Sequence, residues 1–235
     1  MKFLIVLFYW ERPNIVKNAL MSIRDLDYDN WELAFIDDGS IKKGEPIVKE
    51  ILKDHLSKIK FYDTNQTYED KILNQSHFGQ YVNEAIKQSN ADIAIFVCDD
   101  DALVPDYLNK LDIFFTNNPD KIWAYCHVIE YNPYTEVVGK HLLERIHSWH
   151  NRSTLPVSPA CFLDCSQVVF RRYIFNDEIK WPYPLTRGLD ATVFDLVWKK
   201  YGDVTFSGCI GQFKGVFSDQ LGNRLDNSLP IDKEL

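Results

Sequence analysis

Short runs of Val, Ile and Phe alternate with longer amphipathic stretches through the first half of this chain. No other feature restricts the fold as much, because this is the pattern of strand, helix, strand units around a parallel sheet. Residues 3–8 read as the first strand. Pro13 suits a helix start, with Ile15, Ala19 and Ile23 at four-residue spacing as its buried stripe. Residues 31–36, 59–62 and 93–97 read as further strands, and residues 46–56 and 78–89 as helices. Residues 64–74 are irregular, 105–117 read as a helix and 122–129 as a strand.

Beyond that point Pro133, Pro156, Pro159, Pro182 and Pro184 interrupt the pattern, and a helix recurs over residues 190–201. No linker composition stands out, so the expectation is a single α/β domain with a Rossmann-like, mostly parallel central sheet flanked by helices. Residues 1–130 would bind a cofactor-like ligand, and residues 131–235 would shape a second site and a tail. The tail beyond Ser207, with Gly208, Gly211, Gly215, Gly222, Lys214 and Arg224, reads as a flexible lid or a mobile end.

Of 235 residues, 46% are hydrophobic and 26% charged, which excludes disordered and low-complexity classes. The net charge of -8 gives no general attraction to nucleic acid or anionic membrane, although a local basic patch can reverse that field. Five cysteines, an odd number, do not suggest a disulfide framework in a chain able to bury an adequate core. The apolar run 3–8 is too short for a membrane span and is followed by Glu11-Arg12-Pro13, unlike a signal-peptide cleavage site. A cytoplasmic protein without an integral membrane segment is expected, one still able to visit a membrane surface. The retention-like ending 232–235 and the glycosylation-like triplets at Asn65, Asn74 and Asn151 are discounted for lack of an entry signal.

The chemistry concentrates in two acidic clusters, Asp37-Asp38-Gly39-Ser40 after the second strand and Cys98-Asp99-Asp100-Asp101 after the fourth. Open parallel sheets bind ligands outside the carboxyl ends of their strands, so both clusters point to one crevice. Three successive carboxylates repel one another, and a divalent cation removes the repulsion. Mg2+ or Mn2+ held by one or two carboxylates usually completes its shell with water and phosphate oxygens, which suits a nucleoside diphosphate. Read blandly, Asp99 to Asp101 form a solvated turn capping the next helix, and Asp37 and Asp38 are turn formers rather than acceptors for a nucleoside. No Gly-rich dinucleotide fingerprint or phosphate loop is present.

The opening strand, the aromatic-Arg-Pro start, and Trp31-Glu32-Leu33-Ala34-Phe35-Ile36-Asp37-Asp38-Gly39-Ser40 resemble the start of family 2 glycosyltransferases with the GT-A fold. Residues 78–106, with Asn83-Glu84-Ala85-Ile86, Cys98-Asp99-Asp100-Asp101 and Pro105-Asp106, resemble that family's helix, strand and metal-binding acidic motif. Residues 159–166 and Arg187-Gly188-Leu189-Asp190-Ala191 resemble the acceptor half of its spore-coat polysaccharide branch.

The resemblance implies inverting transfer of a sugar from a nucleoside-diphosphate sugar, a UDP-sugar first of all, to an acceptor hydroxyl. Trp10 would stack on the base, Asp37 and Asp38 would meet its polar edge, and Asp99 would contact ribose or metal. Asp100 and Asp101 would hold Mn2+ or Mg2+, Lys71 would contact the diphosphate, and Asp190 would be the general base. Trp181, Tyr183 and Arg187 are the acceptor-side expectations. The acceptor is a glycan, a lipid-linked glycan, a protein hydroxyl or a modified nucleobase. The chain departs from the family pattern at Glu11, where Asn is usual before Arg, at Cys98, where the first acid is usual, and at Leu189, where Glu often precedes the base. The alternatives are an inactive nucleotide-sugar or glycan-binding module and a nucleotidyltransferase.

Zinc at Cys161, Cys165, His141, His147 and His150 has poor ligand spacing. Acidic neighbours would raise the Cys98 thiol and oppose a nucleophilic role. His127 reads as structural or acceptor-side, and Trp149 and Trp198 as core aromatics.

Overall fold

Six of the seven residues of β1 (Phe3–Tyr9) are buried, as a strand covered on both faces requires. The computed structural model describes residues 1–132, 137–139, 158–161 and 163–215. In these residues one sheet runs in the order β3-β2-β1-β4-β8-β6-β9-β5, with β7 pairing to β6. Its parallel part joins β1 to β2 (Trp31–Asp37) and β4 (Ile93–Cys98), and β2 to β3 (Ile59–Asp63). The other strands are β5 (Asp101–Leu103), β6 (Trp123–Asn132), β7 (Val137–Gly139), β8 (Val168–Arg171) and β9 (Thr205–Gly215). There β4–β8, β6–β8, β6–β7 and β5–β9 are antiparallel and β6–β9 is parallel. The sheet is therefore parallel in the front half and mixed overall.

Alternation along β1 sorts its apolar run onto two faces. Phe3, Ile5 and Leu7 pack with α1 (Val16–Arg24) and α5 (Tyr107–Asn117). Leu4 and Val6 pack with α4 (Phe78–Gln88) and α6 (Leu189–Tyr201). Val82 and Ile86 of α4 lie in that second core, and each such buried side chain stabilises the fold by about 1.5–3 kcal/mol. Only a helix whose apolar residues recur every three to four positions can cover the sheet this way.

Several elements differ from expectation. Residues 13–15 form a turn, and α1 begins at Val16, burying Val16, Ala19, Leu20 and Ile23. The stretch 46–56 divides into α2 (Glu45–Ile51) and a 3-10 helix Lys53–Lys58. The irregular segment 64–74 contains α3 (Tyr68–Ile72), whose reciprocal Thr67 and Asp70 capping box was legible as a Thr-x-x-Asp signature.

The lid reading of the tail is corrected for residues 207–215, which belong to β9. Glycines hide this strand, because they lack the side chains that mark strand periodicity. At Gly211 the reason for glycine is close packing: an added Cβ would lie 2.6 Å from Cys126 Sγ and from the Tyr107 ring. Gly222, Arg224, His141, His147, Trp149, His150, Asn151, Pro133, Pro156 and residues 232–235 lie outside the described residues.

Candidate active site

The carboxyl ends of β1, β2 and β4, the start of α6 and the end of β9 converge on a cleft of about 610 Å³. Trp10, Arg12, Asp38, Asp99, Asp100, Asp164, Arg187, Asp190 and Lys214 all contribute to its wall. Volume and position suit a small-molecule site in an open α/β sheet. A second cavity of about 260 Å³ lies beside Lys2, Trp31 and Glu32 at the opposite strand ends, where such sheets do not gather catalytic groups.

Arg12 dominates the acidic end of the cleft. Its Nε donates to Asp99 Oδ2 at 3.2 Å, its Nη2 pairs with Asp99 Oδ1, and its Nη1 donates to Asp100 Oδ2 at 3.1 Å. Burial pushes the Asp99 carboxyl up to about 6 despite this partner, and the two acids hold Arg12 above its ordinary value although burial opposes it. Arg12 is brought there by Glu11, which adopts a left-handed φ of 57°. Asn tolerates that conformation better than Glu. Glu11 is secured by its carboxylate, which accepts from the Ile41 and Lys42 amides, and by its own amide, which donates to Ser40 Oγ at 3.0 Å.

At the second acidic cluster the two aspartates separate in role. Asp37 accepts the Ser40 and Gly44 amides at 2.8 and 3.0 Å and so holds the turn, outside the cleft lining. Asp38 faces the cleft, pairs with Lys71 and accepts the Thr64 hydroxyl at 3.1 Å. Lys71 has no exposed side-chain surface, lies 5.2 Å from the centre of the Trp10 ring, and is pulled below its ordinary value by burial. Trp10 stacks on Tyr68 at 5.9 Å and 11°.

At the far end Lys214 pairs with Asp164 at 3.0 Å and stands opposite Asp101 in the β5–β9 register. Burial opposes its charge, but Asp101 and Asp164 together hold Lys214 well above its ordinary value. Lys214 in turn draws Asp164 down against burial. Asp101 is pushed up by burial to about 8, although the Lys214 charge opposes it. Asp190 sits in the first turn of α6, accepts the Ala191 amide at 2.8 Å, and is raised by burial and then by Asp164.

The acceptor-side expectations divide. Trp181 lines the cleft, is buried against Phe8 and Phe96, and has an Nε1 with no hydrogen-bond partner among the described residues. Arg187 also lines the cleft, whereas Tyr183 is 44% exposed outside its lining. The segment is fixed by Asn83, which takes the Trp181 amide and gives to its carbonyl, both at 2.8 Å. It is fixed also by Gly79, where a Cβ would lie 2.2 Å from the Pro182 carbonyl oxygen. His127 stacks on Phe206 at 4.4 Å and Trp198 donates to Asp203, both away from the cleft lining.

Ligand atoms of Cys98, Asp100 and Asp101 lie within 4.8 Å of one another, and Asp101 Oδ1 is buried with no partner among the described residues. Two carboxylates are the usual protein share of a diphosphate-bound divalent ion, so these residues fit such an ion. The third vertex is a thiol, which the hard ions Mg2+ and Mn2+ do not favour. Contact with Cys165, burial and the Asp101 charge push that thiol well up.

This topology, with ligand-facing acids at the strand ends, defines a GT-A fold. Residues 3–178 match Glycosyl transferase family 2, and the chain belongs to that family. Its structure resembles S. aureus TarS 1-349 in complex with UDP-GlcNAc, with a TM-score of 0.71 at 14% identity, covering 98% of this chain and 62% of that one. It also resembles the mannosyltransferase PcManGT from Pyrobaculum calidifontis in complex with GDP-Man and Mn2+. That TM-score is 0.62 at 12% identity, covering 95% of this chain and 59% of that one. Protein CgeD of Bacillus subtilis (strain 168) is 22% identical over 174 residues, 73% of this chain and 38% of CgeD. The chain thus spans less than two thirds of each of these relatives. Among the described residues no helix is long and apolar enough to cross a membrane.

Sequence reasoning assigned no role to Arg12, Asp164 or Lys214. Arg12 and Asp164 lie within motifs that were legible, but the ion pairs that reveal their roles are long-range.

Proposed function

We propose that this domain transfers a sugar from a nucleoside-diphosphate sugar, a UDP-sugar first, to an acceptor hydroxyl with inversion at the anomeric carbon. The observation that carries the reading is the convergence of Asp190 with Asp99 and Asp100 on one cleft. The UDP-GlcNAc and GDP-Man complexes of the structural relatives support a nucleotide-sugar donor.

In this reading the base lies against Trp10, with Asp38, paired to Lys71, accepting from its polar edge. Asp99 meets the ribose. Asp100 and Asp101 hold a divalent cation, Mn2+ or Mg2+, which when bound neutralises charge on the departing diphosphate. Asp190 takes the acceptor hydroxyl proton, the oxygen bonds to the anomeric carbon, and the bond to the diphosphate breaks with its electron pair leaving on the nucleotide. Burial holds the Asp190 carboxyl above its ordinary value, which makes its carboxylate a stronger proton acceptor and suits this role. Trp181 and Arg187 line the acceptor side, with Tyr183 at its rim. Residues 1–130 form the donor half and 131–235 the acceptor half of a single domain.

The test is calorimetric titration with a panel of nucleoside diphosphates and their sugars, with and without Mn2+, followed by assay of sugar release from any bound donor. One nucleotide should bind, and Asp190→Asn should keep that binding while release falls by about 10²–10⁴-fold. No binding to any nucleotide, or release unchanged in Asp190→Asn, overturns the reading.

A further inference from the structure

Trp10 lines the cleft but is only 8% exposed, because Tyr68, the first residue of α3, stacks on it. The ring centroids are 5.9 Å apart and the planes parallel to within 11°. Of the five residues of α3 only Lys71 is buried, and it is held by the Asp38 carboxylate. Ile72, the one aliphatic residue of the helix, is 57% exposed. An ion pair and a ring stack thus take the place of a buried apolar face, which puts α3 among the parts of the fold that open most readily. Asn65 and Asn74, with left-handed φ of 52° and 55°, bracket the segment. Asn tolerates that conformation, and element-terminal residues of this kind are where hinges lie.

We propose that Tyr68 is the second wall of the nucleobase site, so that the base slides between the Trp10 and Tyr68 rings as α3 yields. Two parallel rings that hold one flat ring between them stand about 7 Å apart, twice the ordinary contact distance of carbon atoms. The planes already have the orientation that a base between them needs, and a small outward shift of α3 supplies the spacing. Lys71 lies 5.2 Å from the centre of the Trp10 ring and makes the pivot. Its flexible four-carbon stem lets the helix shift while its ammonium stays on Asp38. The clamp reads the flat faces that every base shares and leaves discrimination to Asp38 at the polar edge. The inference rests on the reading of Trp10 as the base-binding ring and adds Tyr68 to that site.

The test is calorimetric titration of the full chain with ADP, CDP, GDP, UDP and inorganic pyrophosphate in the presence of Mn2+. Thermal unfolding checks that every variant folds. The parent should bind one of the four nucleotides. Tyr68→Ala should weaken that nucleotide by about 5–150-fold, the range covered by loss of one base–aromatic stack, and leave pyrophosphate unchanged. Tyr68→Phe keeps the ring and should bind like the parent. Nucleotide affinity unchanged in Tyr68→Ala overturns the clamp alone. Tighter binding in Tyr68→Ala also overturns it, because Tyr68 then only blocks the site. Equal losses for the nucleotide and for pyrophosphate overturn it as well, because the loss is then not one of base stacking. Failure of every nucleotide to bind the parent overturns the clamp together with the role given to Trp10.

Discussion

Arg12 grips Asp99 through two nitrogens and reaches Asp100 Oδ2 with a third at 3.1 Å, so one guanidinium serves two acids at the mouth of the cleft. The Arg12 side chain is only 10% exposed, so the pairs are shielded from solvent. Removing one partner of a buried pair leaves an uncompensated charge. Arg12→Ala should therefore lower stability by about 3–5 kcal/mol in denaturant unfolding at neutral pH. Added Mn2+ should raise the Tm of the variant more than that of the parent, because the freed carboxylates gain a replacement cation.

Lys71 and Asp38 make the second buried pair. Lys71→Met should cost about 3–5 kcal/mol by stranding the Asp38 charge. Adding Asp38→Asn to that variant should restore part of the loss, since the stranded charge is gone. A double-mutant cycle reads this as a coupling energy, and strict additivity would show that the pair is not energetically linked.

Gly79 lies in α4 against the Pro182 carbonyl, a backbone atom that cannot swing aside as a side chain does. Gly79→Ala improves helix propensity, yet it should destabilise by about 1–3 kcal/mol through overpacking. In a transfer assay it should raise the acceptor KM more than the donor KM, because Trp181 to Arg187 move with Pro182.

Asp101 gives stability a pH dependence with a defined sign. Its folded value, about 8, lies above its ordinary value of 3.8, so the folded state retains a proton that the unfolded chain releases. Its contribution is complete below 3.8 and is lost as pH rises toward 8. The groups facing it are Lys214, Asp100, Asp164 and the Cys98 amide. Asp101→Asn should flatten the fall in unfolding free energy between about pH 4 and 8, measured in the absence of divalent ions. An unchanged slope would mean that Asp101 is ionised throughout.

The front of the fold was legible because its information is local. β1 and β4 are continuous apolar runs, β2 is apolar from Leu33 to Ile36, and α4 shows its helical stripe in Val82, Ala85 and Ile86. The acids at the strand ends followed directly, since a parallel sheet sends those ends to one side. α3 was missed although Thr67 and Asp70 mark its start, because a helix of five residues has too few positions to display a period. β5, with three residues, and the glycine-bearing β9 were missed for the same lack of periodic signal.

By itself the sequence determined the local dihedrals, the alternation of faces and the order in which acidic turns leave the sheet. Only the tertiary structure decided that Lys214 stands opposite Asp101, that Arg12 spans Asp99 and Asp100, and that Cys98 meets Cys165. Periodicity is written in neighbouring residues and survives in any register. Ion pairs and metal corners depend on which distant strands align, and that is settled when the whole sheet closes and burial makes a misplaced charge too costly to keep.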